Sequence, residues 1–173
     1  FSDENSLDEW DEKVFKKPVT YTVEAQGGDS FVHAVSEGSC SALYYKIRLD
    51  PNKHPVISWK WRVNTFPIKK SGDNLLDKDE DDFAARLYVI FPAVFFANSR
   101  VLEYIWTKEL PDGTVSSSPY TENIKLIVSE SGEKAEWAYE ERDIYEDYLS
   151  AFHKDPDFKI GAVAFMSDSD STE

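Results

Sequence analysis

Residues 56–63 read Val-Ile-Ser-Trp-Lys-Trp-Arg-Val and alternate between apolar and polar side chains from the second residue onward. Successive side chains of a β-strand point to opposite faces, so one face of this segment carries the apolar set Ile57, Trp59, Trp61 and Val63. Such a stripe is typical of a strand that covers a core. Core packing is therefore favoured for Trp59 and Trp61 over an exposed sugar-stacking platform.

Similar patterns recur along the chain at short spacing. Strands are predicted at residues 19–25, 30–36, 42–49, 83–91, 101–107, 123–129, 136–140 and 159–166. Gly27 and Gly28 predict a hairpin between the first two, and Ser131-Gly132 a turn that pairs 123–129 with 136–140. Apolar residues four apart predict one helix over residues 144–152.

Many short strands with one helix predict an all-β fold. We expect a jelly-roll-like β-sandwich of two antiparallel sheets, with the short helix in the C-terminal half. The 173 residues are enough for a single domain spanning residues 1–173. Residues 1–13 form an acidic N-terminal segment that is expected to lay Trp10 on the body, and residues 66–80 a long acidic loop without a core to join.

The net charge of the chain limits the classes of partner that it can bind. The sequence has 33 acidic against 19 basic residues, a formal net charge of −14. Such a surface repels phosphate backbones, so nucleic acid is not an expected partner. No apolar run reaches the roughly 18 residues of a membrane span, so no membrane insertion is expected.

Three segments resemble one protein family. They are residues 55–63, the stretch Asp-Asp-Phe-Ala-Ala-Arg at 81–86 with the strand that follows, and the terminal residues 161–170, with a further match around 141–148. Together they resemble a bacterial family labelled domain of unknown function 3047. The resemblance implies an exported protein with a jelly roll in the style of a carbohydrate-binding module, and a further strand after the closing acidic turn. The end of this sequence therefore suggests either a strand beyond it or an open sheet edge that a partner covers.

A candidate ligand-binding face follows from the strand patterns. If the strands share a sheet, cationic and aromatic side chains of three strands project together: Lys60, Arg62, Arg86, Tyr88, Tyr104 and Trp106. Arginine offers a planar fork to carboxylates and sugar acids. The alternative is a buried Arg86 paired with Asp81 or Asp82, because a buried guanidinium needs an anion.

Asp168 and Asp170, with Asp3 or Glu4, are candidate ligands of a structural calcium ion, since calcium takes six to eight oxygens. The single cysteine, Cys40, is interpreted as a structural thiol. The three histidines fall in different elements without a catalytic spacing, so an enzyme is the less favoured interpretation.

Three functions therefore remain open. The first is a non-catalytic, periplasmic or secreted module that binds a glycan or another cell-envelope ligand. The second is a structural protein that docks onto an envelope or filament subunit through its surface and open sheet edge. The third is a polysaccharide-active enzyme.

Overall fold

A computed structural model describes residues 1, 3–95 and 98–172 of the chain. Its strands are β1 (Asp11–Val14), β2 (Thr20–Gln26), β3 (Asp29–Val35), β4 (Cys40–Leu49), β5 (Val56–Trp61), β6 (Arg86–Phe91), β7 (Arg100–Thr107), β8 (Val115–Ser118), β9 (Thr121–Ser131), β10 (Ala138–Asp143) and β11 (Ile160–Asp168). The helix α1 spans Ile144–Phe152, and short 3-10 helices span Glu4–Leu7 and Lys78–Glu80. The mostly β prediction with one helix is confirmed.

The strands form one large sheet and two small ones. Seven strands pair in the order β1-β4-β11-β6-β7-β9-β8, while β5 pairs with β10 and β2 with β3. The expectation of two antiparallel sheets is wrong in detail, because β7 and β9 run parallel. Gly27 and Gly28 have φ angles of 65° and 95°, so they form the predicted hairpin turn.

The main core lies between the large sheet and the β5–β10 layer. Trp59 of β5 lies 5.2 Å from Tyr104 of β7, and Trp61 lies 5.7 Å from Trp106, measured between ring centroids. Helix α1 completes this core because Tyr148 packs on Phe91 at 4.6 Å. Core positions for Trp59 and Trp61 are thus confirmed.

The predicted pairing of residues 123–129 with 136–140 is wrong. Strand β9 pairs with β7 and β8 in the large sheet, whereas β10 crosses to the second layer and pairs with β5. The chain therefore crosses from the large sheet to the second layer after the Ser131-Gly132 turn. Local turn chemistry could not show this, because β5 comes from the other half of the chain.

The prediction that the last strand leaves an open sheet edge is also wrong. Strand β11 lies inside the large sheet, between β4 and β6. It runs on to Asp168, so this carboxylate belongs to the strand and is buried. The edge strands of the large sheet are β1 and β8.

The acidic loop of residues 66–80 has a core to join, contrary to expectation. Its Leu75 is buried against Phe83, Ile105, Leu126 and Val128, on the side of the sheet opposite the main core. The adjacent apolar residues Leu75 and Leu76 among polar neighbours give no periodic signal. At the N-terminus, Trp10 packs on Tyr45 and Phe165 as predicted.

Candidate functional site

An open cleft of about 810 Å³ lies beyond the end of β5, between loops that are distant in sequence. Its walls are residues 62–69, the Gly72-Asp73 and Lys108-Glu109 pairs and residues 133–135. Ligand sites commonly have volumes of about 300–1,000 Å³ and are lined by apolar groups with a few polar ones. The cleft has such a volume but a more polar lining, in which Val63, Phe66 and Pro67 stand beside Asn64, Thr65 and seven charged residues.

One cleft wall is held by Asp73. Its carboxylate accepts hydrogen bonds from the backbone N–H groups of Lys108, at 2.7 Å, and Glu109, at 2.9 Å. It also lies 3.0 Å from the Lys69 ammonium, and both side chains of this ion pair are buried. Asp73 thereby ties the 66–80 loop to the turn after β7.

The fold of the loop itself depends on Glu80 and Gly72. The buried Glu80 carboxylate accepts hydrogen bonds from the N–H groups of Lys70 and Ser71. Gly72 has a φ angle of 75°, and a Cβ atom there would lie 2.7 Å from the Glu109 carboxylate. A side chain at position 72 would therefore strain the backbone and push Glu109 from its place.

The cleft is much less acidic than the molecule. Its lining has four cationic side chains (Arg62, Lys69, Lys108 and Lys134) and three anionic ones (Asp73, Glu109 and Glu133). Each lysine of this group lies within 3.0 Å of a carboxylate oxygen. The chain as a whole carries −14. An acidic ligand thus meets less repulsion in the cleft than elsewhere on the surface.

Arg62 differs from these lysines. Its guanidinium carbon lies 5.1 Å from the ring centroid of Trp137, and within the described part of the chain it has no hydrogen bond or ion pair. Trp137 is 40% exposed and contacts the Phe31 ring at 5.2 Å. A cation stacked on a partly exposed indole presents both hydrogen-bond donors and a flat apolar face.

Arg86 lies instead in a buried charge cluster, defined by Asp81, Arg86, Glu103 and Asp168. Its guanidinium donates to Glu103 at 2.6 Å and contacts the two oxygens of Asp168 at 3.0 and 2.8 Å. It also donates to the backbone carbonyl of Asp81, whose carboxylate lies 3.6 Å away. The alternative of a buried, paired Arg86 is confirmed for Asp81. Asp82 instead accepts hydrogen bonds from Ser171 and Thr172.

Three carboxylates share this one arginine, and burial governs the protonation of two of them. Burial raises the pKa of Asp168 to about 7 and the pKa of Asp81 to about 6. The arginine acts to lower the pKa of Asp81 but does not outweigh the loss of water around it. Full ionisation of the three carboxyl groups would therefore leave a buried net negative charge, which is energetically costly.

The six residues of the predicted ligand-binding face do not share one face. Lys60 and Arg62 belong to the second layer, whereas Arg86 and Tyr88 lie in the large sheet. Tyr104 lies directly opposite Leu87, so it projects into the main core, away from Arg86. Tyr104 donates a hydrogen bond to Asp147 and Trp106 to the Gly132 carbonyl, and both side chains are fully buried. Of the six, Lys60 is exposed, Arg62 and Tyr88 are partly exposed, and only Arg62 lines the cleft.

A comparison with protein families gives a match that covers nearly the whole chain. A model described as "Protein of unknown function (DUF3047)" matches residues 8–173. The chain belongs to this family. No curated protein matches it significantly.

The predicted calcium ligands of this DUF3047 member do come together. Ligand atoms of Asp168, Asp170 and Cys40 lie within 4.8 Å of one another. However, both Asp168 oxygens already contact the Arg86 guanidinium, and one accepts a hydrogen bond from the Phe83 N–H at 2.8 Å. Asp3 caps the first 3-10 helix instead of joining the group, and the Glu4 side chain lies outside the described part. Arg86 supplies the positive charge that a calcium ion would bring.

Cys40 is buried, and burial raises the pKa of its thiol to about 12. Its sulfur lies 3.8 Å from the Met166 sulfur. The thiol therefore stays protonated at neutral pH, which supports the structural interpretation.

Sequence reasoning missed most of the cleft. Phe66, Lys69, Lys108 and Glu133 come from loops that lack periodicity, and only folding brings them together. The one available signal was the length of the 66–80 loop, because long loops within compact domains often carry function.

Proposed function

We propose that this chain is a non-catalytic binding module and that the cleft beside Arg62 and Trp137 holds a glycan. The single observation that carries the proposal is the unpaired Arg62 guanidinium, which lines an 810 Å³ cleft and lies over the partly exposed indole of Trp137. Sugar rings offer apolar C–H faces to an aromatic ring and hydroxyl oxygens to cationic donors.

The built walls of the cleft support binding by a largely pre-formed site. Asp73 and Glu80 hold the loop on one side through backbone hydrogen bonds, and the Lys108–Glu133 ion pair of 2.7 Å joins two further segments. A pre-formed site loses little conformational entropy on binding. Catalysis is a weaker proposal, because two carboxyl groups with a strongly raised pKa, Asp81 and Asp168, lie in the buried charge cluster and not in the cleft.

Export to the periplasm or the exterior of a bacterium belongs to the same proposal, since such a glycan would be found there. None of the described helices is long and apolar enough to cross a membrane. Fractionation of cells that produce the protein from its full-length gene tests the location. Recovery with cytoplasmic markers would contradict export.

A glycan array tests the binding function. The wild type should bind a restricted set of oligosaccharides, and Trp137→Ala should lose that binding while its circular dichroism spectrum and melting temperature stay unchanged. Tyr139→Ala is the matched control, because Tyr139 is an exposed aromatic residue of β10 that does not line the cleft and, in the described part of the chain, has no cation–π contact with Arg62 as Trp137 has. No binding by the wild type, or equal binding by the Trp137 variant, would refute the proposal.

The second candidate is assembly with an envelope protein through the edge strands. Val115 of β8 and Phe15, next to β1, are exposed large apolar residues. In β1, however, three of the four residues are charged, which discourages strand addition. A stoichiometric partner recovered by cross-linking from the source envelope, together with a silent glycan array, would favour assembly.

A further inference from the structure

A small recess opens beneath the cleft, with room for about one water-sized group (about 10 Å³). It shares Phe66, Pro67, Lys69, Asp73 and Lys108 with the cleft. Its remaining lining is Asp82, Phe83, Ala84 and the buried Trp106. The recess is therefore an inward extension of the cleft toward the core of the large sheet.

Two residues of the recess carry buried polar atoms without a hydrogen-bond partner in the described part of the chain. They are the Lys69 ammonium and Asp82 Oδ1. The Lys69 side chain is 6% exposed, and Asp82 is fully buried. Buried polar groups are almost always paired, because an unpaired one loses its hydration without compensation. Two residues that line the recess thus hold an unused donor and an unused acceptor.

The neighbouring contacts leave these groups available. The Lys69 ammonium has three N–H donors, and its ion pair with Asp73 engages one carboxylate oxygen at 3.0 Å, while its nitrogen lies 3.8 Å from the Phe83 ring centroid. Asp82 uses only Oδ2 to accept from the backbone of Ser171 and Thr172 and from the Thr172 hydroxyl. Its Oδ1 atom is left for a donor from elsewhere.

A donor residue and an acceptor residue on the lining of one small recess select the chemistry of the occupant. A hydroxyl group can accept from Lys69 and donate to Asp82 at the same time. A carboxylate would meet repulsion from Asp82, and an ammonium group repulsion from Lys69. The size of the recess admits one such oxygen and little more.

We infer that the recess binds a single hydroxyl group of the glycan, with Lys69 as donor and Asp82 as acceptor. The inference rests on the proposed function and names the specificity element of that site. The rest of the sugar lies in the cleft, which Phe66 and Arg62 line, and Arg62 lies over the partly exposed Trp137 ring. A site built around a hydroxyl discriminates strongly against a ligand that lacks it, because its polar groups are then left unpaired.

Isothermal titration calorimetry with neutral oligosaccharides tests the inference. The probes are gluco-, manno-, galacto- and N-acetylglucosamine oligomers, followed by the monodeoxy derivatives of the one that binds. We expect one deoxy position to weaken wild-type binding by about tenfold or more. Lys69→Met should weaken binding of the parent sugar to a similar extent and should no longer distinguish that deoxy derivative.

Lys70→Met is the matched control, since Lys70 is exposed and does not line the cleft or the recess. It should bind as the wild type does. If the wild type binds a sugar and Lys69→Met shows the same affinity and the same deoxy discrimination, the recess inference is wrong while the glycan function stands. If no probe binds the wild type and the glycan array is also silent, the function itself fails.

A crystal structure of the wild type with the bound sugar covers the case in which Lys69→Met does not fold. We expect a sugar oxygen within about 3 Å of both the Lys69 ammonium and Asp82 Oδ1. A water molecule at that point with no sugar hydroxyl in the recess would overturn the inference.

Discussion

Two arginines from similar strand patterns end up with opposite surroundings. Arg86 is 4% exposed, bonded to carboxylates of two other strands and enclosed by a loop. Arg62 lies just after β5, rests on the Trp137 ring and has no acidic partner in the described structure. The difference shows that a cation on a predicted strand is a binding candidate only when nearby elements leave its charge unpaired.

The largest expected effect comes from Arg86→Met. Removing the cation leaves Asp168, Glu103 and Asp81 buried without the arginine that pairs with them, so the free energy of unfolding should fall by about 3–5 kcal/mol. Urea denaturation followed by tryptophan fluorescence measures this. Arg62→Met is the control and should change stability by less than about 0.5 kcal/mol. Equal losses in the two variants would remove the distinction between the two arginines.

The buried charge cluster should also give a pH dependence. The pKa of Asp81 in the folded protein, about 6, lies above the unfolded value of about 3.9, so the folded state binds more protons between these values. Its contribution to stability is present below about pH 3.9 and is lost as the pH rises through about 6. Asp168, with a pKa of about 7, extends the loss toward neutral pH.

The variant Asp81→Asn tests the sign of this pH dependence. At pH 8 it removes a costly buried charge, so we expect it to raise the free energy of unfolding by about 1–3 kcal/mol, and to have a smaller effect at about pH 4. The exposed Asp79→Asn is the matched control. Stability that rises between about pH 4 and pH 7 in the wild type, together with a destabilised Asp81 variant at pH 8, would show that the ion pair with Arg86 outweighs burial.

Some of the features that distinguish the two arginines could be predicted from the sequence, and others could not. Alternation placed Trp59, Trp61 and Val63 in the core because each strand carries its own period of two. The cost of burying an unpaired guanidinium suggested a pair between Arg86 and either Asp81 or Asp82, both close to it in sequence, and Asp81 is the partner. Glu103 and Asp168 could not be assigned to Arg86, because strand order and register bring them together. The cleft depends on the same long-range order.

For Arg62, the expected effect is on the affinity for the glycan. Arg62→Met should weaken glycan binding by about tenfold, since it removes donors to the sugar without leaving a buried charge. Calorimetry with the oligosaccharide selected on the array measures the loss. Lys60→Met, on the exposed face of β5, is the control. If Lys60→Met weakens binding and Arg62→Met does not, the ligand lies on the strand face and not in the cleft.

The smallest expected effect concerns metal. Because Arg86 neutralises Asp168, we expect the melting temperature to be the same in EDTA and in millimolar calcium. A calcium-dependent rise that disappears in Asp170→Asn would restore the predicted calcium site and would make the buried charge cluster a metal centre.

A nuclear magnetic resonance titration of the ¹⁵N-labelled wild type with the selected oligosaccharide tests the proposed cleft most directly. The predicted result is a set of shift changes at residues 62–73, 108–109 and 133–137, including the Trp137 indole, with the signals of β11 unchanged. Shift changes centred on Tyr44 and Tyr88, with residues 62–73 unaffected, would contradict it and would place the ligand on a face of the large sheet outside the cleft.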